Sequence, residues 1–216
     1  MKLVKPGFII ETPIENMGMS MLKRIEKAGR TCYKSEDKIT EDSAIKFIQS
    51  IIKNGHHSVI EHESVSVRII CDRGVTHEIV RHRLASYSQE STRYCDYGNG
   101  HVTFVIPPWV DISQGEYTEM FDPLGKAENY WYNQMLWSER VYKAMRKDGW
   151  SPQQARSVLP NSLKTEIVMT ANLREWRHFF TLRTSTKAHP QMREVAIPLL
   201  NAFKNFIPVV FDNITY

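Results

Sequence analysis

The 216-residue sequence predicts an α+β fold: a single domain over residues 1–216, with a small mixed β-sheet and several long helices. Three observations predict it. Apolar residues recur at helical spacing over long stretches, they alternate with polar ones over a few short stretches, and the two patterns follow no regular β-α order. No linker divides the chain. A hydrophobic fraction of 42% beside 24% charged residues is enough for a core that needs neither metal nor disulfide.

Residues 8–11 read as a short strand and residues 16–28 as a helix. Thr40 reads as the N-cap of the next helix, with Glu41 and Asp42 in its first turn. Ala44, Ile45, Ile48, Ile51 and Ile52 give that helix its apolar face, and Gly55 stands where a C′ glycine belongs. Val65, Val67 and Ile69 alternate along a strand over residues 64–70. After a turn at residues 72–74, a helix is predicted over residues 75–86, carrying Arg81, His82 and Arg83. Successive helical residues point about 100° apart, so these three fan out. The loop that follows carries Gln89, Ser91, Arg93 and Tyr94.

Val102, Phe104 and Ile106 alternate in a strand over residues 101–106, which Pro107 and Pro108 end. Trp131, Met135, Tyr142 and Met145 recur at helical spacing with Ser138 as a polar break. Trp137, Val141 and Ala144 widen that face, giving a long buried helix that ends near Gly149. Ser151-Pro152-Gln153-Gln154 has the form of a capping box with proline at the first helical position, on a helix that carries Arg156 and stops at Pro160. Asn172-Leu173-Arg174-Glu175 starts a further helix in the same manner, running through Trp176, Phe179 and Phe180 to about residue 183. Those aromatic residues read as core. The last helix turns Met192, Val195, Ala196, Leu199 and Phe203 inward, with Pro198 as a candidate kink.

The net charge of +4 is a mild excess of 28 basic over 24 acidic residues. A nucleic-acid-binding domain calls for a stronger basic stripe, whereas a small polyanion is compatible with this balance. Cys32, Cys71 and Cys95 lie far apart with no C-x-x-C pair, which favours a reducing compartment over a disulfide framework or zinc ribbon. No apolar run approaches the roughly 18 residues of a membrane span, and the N-terminal MKLVKPGFII lacks the apolar core of a signal peptide. The chain therefore reads as cytoplasmic, with no membrane and no nucleic acid among its partners.

The densest chemistry lies at Arg81-His82-Arg83. Arginine presents a planar fork suited to phosphate, diphosphate or carboxylate, and three such groups in a row repel unless anions sit nearby. Ser86, Ser88, Gln89, Ser91 and Thr92 add neutral hydrogen-bond groups, and Arg93 another cation. On the residues alone the cluster reads as a solvated basic face or as a site for a phosphate and the polar edge of a base. The rival from another class is a nucleic-acid-binding module that uses these cations and the nearby tyrosines. A histidine metal site is a weaker reading, because His77 and His82 miss the i,i+4 register that puts two imidazoles on one helix face. No metal is expected. No G-x-G-x-x-G or Walker loop is present.

The segment RHRLASYSQESTRY resembles the R-H-R-x7-S motif of flavin-dependent thymidylate synthases, with the arginine and tyrosine that commonly follow its serine. GHHSVIEH from Gly55, ARSVLP from Ala155, NLREWRHFFTLRTSTKAHPQ from Asn172 and AGRTCYKS near the N-terminus are similar to further segments of that family, in order and spacing. The resemblance covers nearly the whole chain. It implies the thymidylate synthase-complementing protein fold and a homotetramer with sites between subunits. It implies reductive methylation of dUMP to dTMP, with methylenetetrahydrofolate as carbon donor and NADPH reducing a bound FAD. By position it puts Ser58, Arg81, His82, Arg83, Gln89, Asn172, Arg174 and His178 against FAD. It puts Glu78, Arg81, Gln89, Ser91, Arg93, Arg156 and Arg183 against the nucleotide. Position 78 is often glutamine in relatives and is glutamate here, while Gln89 replaces a glutamate seen in some members.

The resemblance also implies catalytic roles for Arg183 and His56. A fixed cation lowers the cost of the anion that develops when the uracil imide ionises, and so activates the ring carbon. From the residues alone, Arg183 reads equally as an arginine meeting a helix C-terminus, and His56 as a loop histidine just past a helix end. Arg156 and Arg93 suit a nucleotide phosphate. Ser91 lacks the base and sharp turn of a nucleophile, so a neutral hydrogen bond to the nucleotide is its expected role. Cys95, in Arg93-Tyr94-Cys95-Asp96, lacks the proline and histidine neighbours of the cysteine-dependent thymidylate synthases and reads as an ordinary small buried residue.

Overall fold

In a computed structural model, which describes residues 1–121 and 126–216, the chain runs β1 (Lys2–Val4), β2 (Gly7–Ile10), α1 (Met19–Arg30), α2 (Ser43–Lys53), β3 (Ser64–Asp72), α3 (Arg73–Ile79), β4 (Ala85–Gln89), β5 (Thr103–Val105), β6 (Gly115–Glu116), α4 (Ala127–Lys147), α5 (Pro152–Ala155), β7 (Lys164–Asn172), α6 (Leu173–Arg183), α7 (Pro190–Phe206) and α8 (Pro208–Phe211). Short 3₁₀ turns join several of them. Strands form a three-stranded sheet in the order β5-β1-β6 and a four-stranded one in the order β2-β3-β7-β4. Helices and strands mix without β-α alternation, as the α+β class requires.

Several elements differ from the sequence reading, two of them over long stretches. The helix expected over residues 75–86 is two structures. It begins earlier, at Arg73, because the Asp72 side chain accepts from the Val75 N–H at 2.7 Å and so caps α3. It ends at Ile79, and Ala85–Gln89 is strand β4, with exposed Ser86 and Ser88 alternating with half-buried neighbours. The second difference is β7, an unforeseen strand in which Thr165, Ile167, Met169 and Ala171 are buried in strict alternation. Its signal was masked because Val168 and Thr170 fill the alternate positions, and methionine and alanine are poor strand markers.

The chain forms two compact units: Met1–Gly7, Ile69–Arg81 and Ser88–Ile167 make the first, and Phe8–Arg68, His82–Tyr87 and Val168–Tyr216 the second. In the first, β1 runs parallel to β5, pairing Leu3 with Phe104, and antiparallel to β6, pairing Leu3 with Gly115. Val102, Phe104 and Ile106 enter its core together with Leu3 and a face of α4. That face is rotated from the expected one. Met135 and Tyr142 are buried as expected, but Trp137 and Ala144 are exposed, and Tyr132, Leu136 and Glu139 lie inside. Glu139 accepts from the Val102 N–H at 2.9 Å and pairs with Lys143 at 3.1 Å, so a hydrogen-bonded carboxylate occupies a position that an apolar count gives to solvent. Gly149, at φ 91°, closes α4 as its C′ residue. Ser151 and Gln154 close their capping box with Pro152 at the first helical position. The α-helix stops at Ala155, however, and Arg156 stands on a 3₁₀ turn to Val158.

The second unit is built on aromatic packing. Trp176, Phe179, Phe180, Phe203 and Phe211 are all fully buried, which makes the α6 aromatics core as expected. The Trp176 ring centroid lies 5.5 Å from that of Phe180 and 5.1 Å from that of Phe203, and its indole N–H donates to the Val65 carbonyl at 3.0 Å. Helix α7 turns Met192, Val195, Ala196, Leu199 and Phe203 inward and continues through Pro198. Helices α1 and α2 approach closely at Gly29, where a Cβ would sit 2.7 Å from the Phe47 ring. Thr40 does not cap α2. The helix starts at Ser43, whose hydroxyl accepts from the Thr40 N–H at 2.9 Å and so takes the capping turn out of the helix. Among the described residues no helix is long and apolar enough to cross a membrane.

Trp176→Ala should lower unfolding free energy by about 3–5 kcal/mol. Trp176→Phe should lose only about 1–2 kcal/mol, chiefly by leaving the buried Val65 carbonyl without its donor. Urea denaturation of the two variants measures both; a Trp176→Phe loss near zero would show that the indole N–H contributes nothing.

Candidate active site

Residues of the second unit surround a cavity of about 410 Å³, lined by Glu61, Leu84, Asn172, Arg174, Glu175 and His178. Helix α6 supplies most of it because it begins directly where β7 ends. The Asn172 side chain accepts from the Glu175 N–H at 2.9 Å, so Asn172 is the N-cap. A helical repeat of 3.6 residues then sends Trp176, Phe179 and Phe180 into the core while Arg174 and His178 stay at the surface. Arg174 reaches Glu61 at 2.6 Å; both side chains are solvated, so this pair orients more than it stabilises.

The tripeptide Arg81-His82-Arg83 does not present three cations to one face. Arg81 and Arg83 are exposed, and His82 between them is only 4% exposed. The His82 ring meets two groups of α6: Nδ1 lies 3.0 Å from Glu175 Oε1, and Nε2 accepts from Arg183 Nε at 3.1 Å. Phe179 and His178 flank it at centroid distances of 4.9 and 5.5 Å. Tyr87 donates to the His82 carbonyl at 2.7 Å, and burial pushes its phenol up to about 12. Burial is also the largest influence on His82 and holds its imidazole below the ordinary value; Arg183 and His178 act in the same direction, and Glu175 opposes them. Glu175 thus has a different task from the one its position suggested. Its backbone is capped by Asn172 and its carboxylate turns to His82.

His82, Glu175 and His178 bring their ligand atoms within 4.8 Å of one another, a grouping the sequence reading of His77 with His82 missed. The Arg183 guanidinium at 3.1 Å from His82 Nε2 opposes a metal cation there. His56 and Ser58 are exposed and do not line the cavity. Gly55, at φ 75°, ends α2 as expected: its N–H bonds to the Ile52 carbonyl and the His56 N–H to that of Ile51, which directs the chain into the 3₁₀ turn His57–His62.

In the first unit a cavity of about 420 Å³ is lined by Arg73, Thr92, Gln153, Arg156, Ser157, Leu159 and Leu163. Arg156 Nη1 donates to the Thr92 hydroxyl at 3.1 Å. Arg73 was not foreseen; its Nη1 is buried with no hydrogen-bond acceptor among the described residues. Two guanidiniums and no carboxylate line this cavity, which suits an anion. Gln89, Ser91 and Arg93 do not line it. The Gln89 amide donates to Thr76 at 3.1 Å and Thr165 at 3.4 Å, and the Ser91 hydroxyl accepts from the Arg93 N–H at 3.4 Å. Arg93 is exposed, its guanidinium 5.4 Å from the Tyr94 ring centroid. Glu78 is half-buried at the end of α3. Cys95 is half-buried rather than buried.

The model of the family described as "Thymidylate synthase complementing protein" matches residues 16–209. The chain belongs to this family. Its similarity to a flavin-dependent thymidylate synthase of Mycobacterium avium (strain 104) is 37% identity over 196 residues, covering 87% of this chain and 77% of that one. A flavin-dependent thymidylate synthase of Mycolicibacterium vanbaalenii is likewise 37% identical over 198 residues, covering 88% and 78%. A UMP/dUMP methylase, PolB from Streptomyces cacaoi bound with 5-Br dUMP, superposes with a TM-score of 0.75 over 98% of this chain and 96% of its own. At 21% identity this likeness extends to the fold. In this member of the family, then, α6 carries both core aromatics and the cavity-lining Arg174, Glu175 and His178.

Because the folded state holds His82 below 6.5, the ordinary imidazole value, the unfolded chain binds the extra proton first as pH falls. Stability is therefore retained above that value and lost as pH drops from 6.5 through the folded-state value. Thermal melts at stepped pH should show this slope in the wild type and a shallower one in His82→Gln; parallel slopes would sink the assignment.

Proposed function

We propose that this chain catalyses the reductive methylation of dUMP to dTMP, taking the carbon from methylenetetrahydrofolate and the reducing equivalents from an FAD reduced by NADPH. The observation that carries the reading is the placement of Asn172, Arg174 and His178 around one cavity, in a chain of this family. An amide, a guanidinium and an imidazole supply donors for the polar edge of a flavin, and Leu84 supplies apolar surface, so the residues present fit the group. When bound, the flavin supplies the hydride chemistry that no side chain provides.

The chain's own residues supply binding and charge. FAD is held by Ser58, Arg81, Arg83, Gln89, Asn172, Arg174 and His178, with His56 beside it as a functional histidine. His82, whose ring nitrogens are engaged by Glu175 and Arg183, meets it through its backbone. The nucleotide is held by Glu78, Arg81, Gln89, Ser91, Arg93 and Arg156, with Arg183 at the uracil. Arg156 and Arg93 donate to the phosphate as charge-assisted hydrogen bonds. Ser91 gives the nucleotide a neutral hydrogen bond. Gln89 uses its amide N–H groups on Thr76 and Thr165, which leaves its carbonyl oxygen as the group it offers. Arg183 lowers the cost of ionising the uracil imide and so raises the nucleophilicity of the ring carbon to be alkylated. The exposure of Ser58, Arg83 and Arg93 on one chain accords with a homotetramer whose sites are completed between subunits. The whole chain, residues 1–216, acts as one catalytic domain in the cytoplasm.

The purified protein should be yellow, or become so on loading with FAD, and should bleach with NADPH. Arg183→Gln should keep the flavin spectrum while slowing dTMP formation on the order of 100-fold. Full-speed turnover in that variant, or a colourless protein that takes up no FAD and binds DNA instead, would overturn the reading.

A further inference from the structure

Three side chains in the second unit form a continuous line: Glu175 Oε1, 3.0 Å to His82 Nδ1, and His82 Nε2, 3.1 Å to Arg183 Nε. The two ends are chemically opposite. A carboxylate can only accept, and a guanidinium Nε–H can only donate. A neutral imidazole has one N–H and one lone pair, so both neighbours demand the same arrangement: the proton on Nδ1 and the lone pair on Nε2. We propose that Glu175 is a positioning residue that locks His82 in its Nδ1–H tautomer, so that the Nε2 lone pair fixes the direction of the Arg183 guanidinium.

The surroundings favour this over an ordinary histidine–glutamate ion pair. His82 and Glu175 are 4% and 6% exposed, so water competes little for the hydrogen bond between them. Protonating Nε2 would set an N–H against the Arg183 N–H at 3.1 Å. The charged and titratable groups that face the ring are Glu175, His178 and Arg183 from α6, with Tyr87 nearby from β4. Two of the three on α6 are cationic or potentially so, and they oppose an imidazolium. Phe179, tilted against the ring at a centroid distance of 4.9 Å, restricts its rotation. Arg183 is the last residue of α6, where a long side chain gains direction only from what it touches. The link from Arg183 to turnover rests on the methylation reading above; the tautomer does not.

The experiment is ¹⁵N NMR of the purified holoprotein labelled at histidine, with His82→Gln identifying the His82 signals among the 8 histidines. Between pH 6.5 and 8, Nδ1 should carry the proton and Nε2 should be bare; a proton on Nε2 in the wild type overturns the proposal with no variant needed. Glu175→Leu removes the acceptor and should populate the Nε2–H form, with kcat falling roughly 10-fold or more and KM for dUMP changing far less. Glu175→Gln keeps an acceptor oxygen, so it should retain the Nδ1–H form and recover most of that turnover. If Glu175→Leu does not fold, the wild-type tautomer and Glu175→Gln still decide. Wild-type tautomer and wild-type kcat in Glu175→Leu would overturn the proposal. Absence of dUMP turnover in the wild type would instead count against the methylation reading.

Discussion

The capped junction at Asn172, where β7 becomes α6, is the constraint on which the second unit depends. The asparagine side chain closes the first turn and so fixes the rotational phase of the whole helix. From that phase everything else follows at intervals of three and four residues. Trp176, Phe179 and Phe180 enter the aromatic core, and Glu175 points to His82, while Arg174 and His178 stay at the cavity. A one-residue slip of the cap would carry the carboxylate off the histidine and a charged side chain into the core. The core therefore does more than hold the unit together: burying the aromatics is what holds the polar residues at their angles.

Much of this was legible in the sequence. The aromatic run on α6, the Asn172 cap, the Gly55 helix end and the inward face of α7 are all periodic or capping signals, and local chemistry suffices to read them. What was not legible required knowledge of partners distant in the chain. Glu139 is an interior residue because the Val102 N–H, 37 positions away, needs an acceptor. Glu175 looked like half of a capping box, yet it serves a histidine 93 positions upstream. Arg73 gave no signal at all, since an arginine after a strand is ordinary until a second arginine faces the same cavity.

The corrected ending of α3 changes how the basic tripeptide is understood. On a continuing helix, Arg81, His82 and Arg83 would fan around one axis and all remain solvated. Because the helix stops at Ile79, the chain passes through this stretch in extended or turn conformations, and neighbouring side chains point opposite ways. The arginines go outward and the histidine inward. This resolves the repulsion that three adjacent cations would suffer, since the central one is buried and held neutral. Two arginines remain at the surface. The family motif R-H-R is, in this chain, two different instruments on one short segment.

A neutral histidine between an acid and an arginine also answers a question of design. A carboxylate placed directly on Arg183 would orient it equally well, but out of bulk water it would also neutralise the guanidinium charge. An imidazole nitrogen supplies direction with far less compensation. The carboxylate's influence reaches the guanidinium through a hydrogen bond and an intervening ring, weakened by distance. Desolvation makes the arrangement tolerable: His82 has no cause to take up a proton near neutral pH, so the acceptor that Arg183 relies on stays open where the burial is greatest. Orientation and charge, which a simple salt bridge would couple, are here assigned to separate residues.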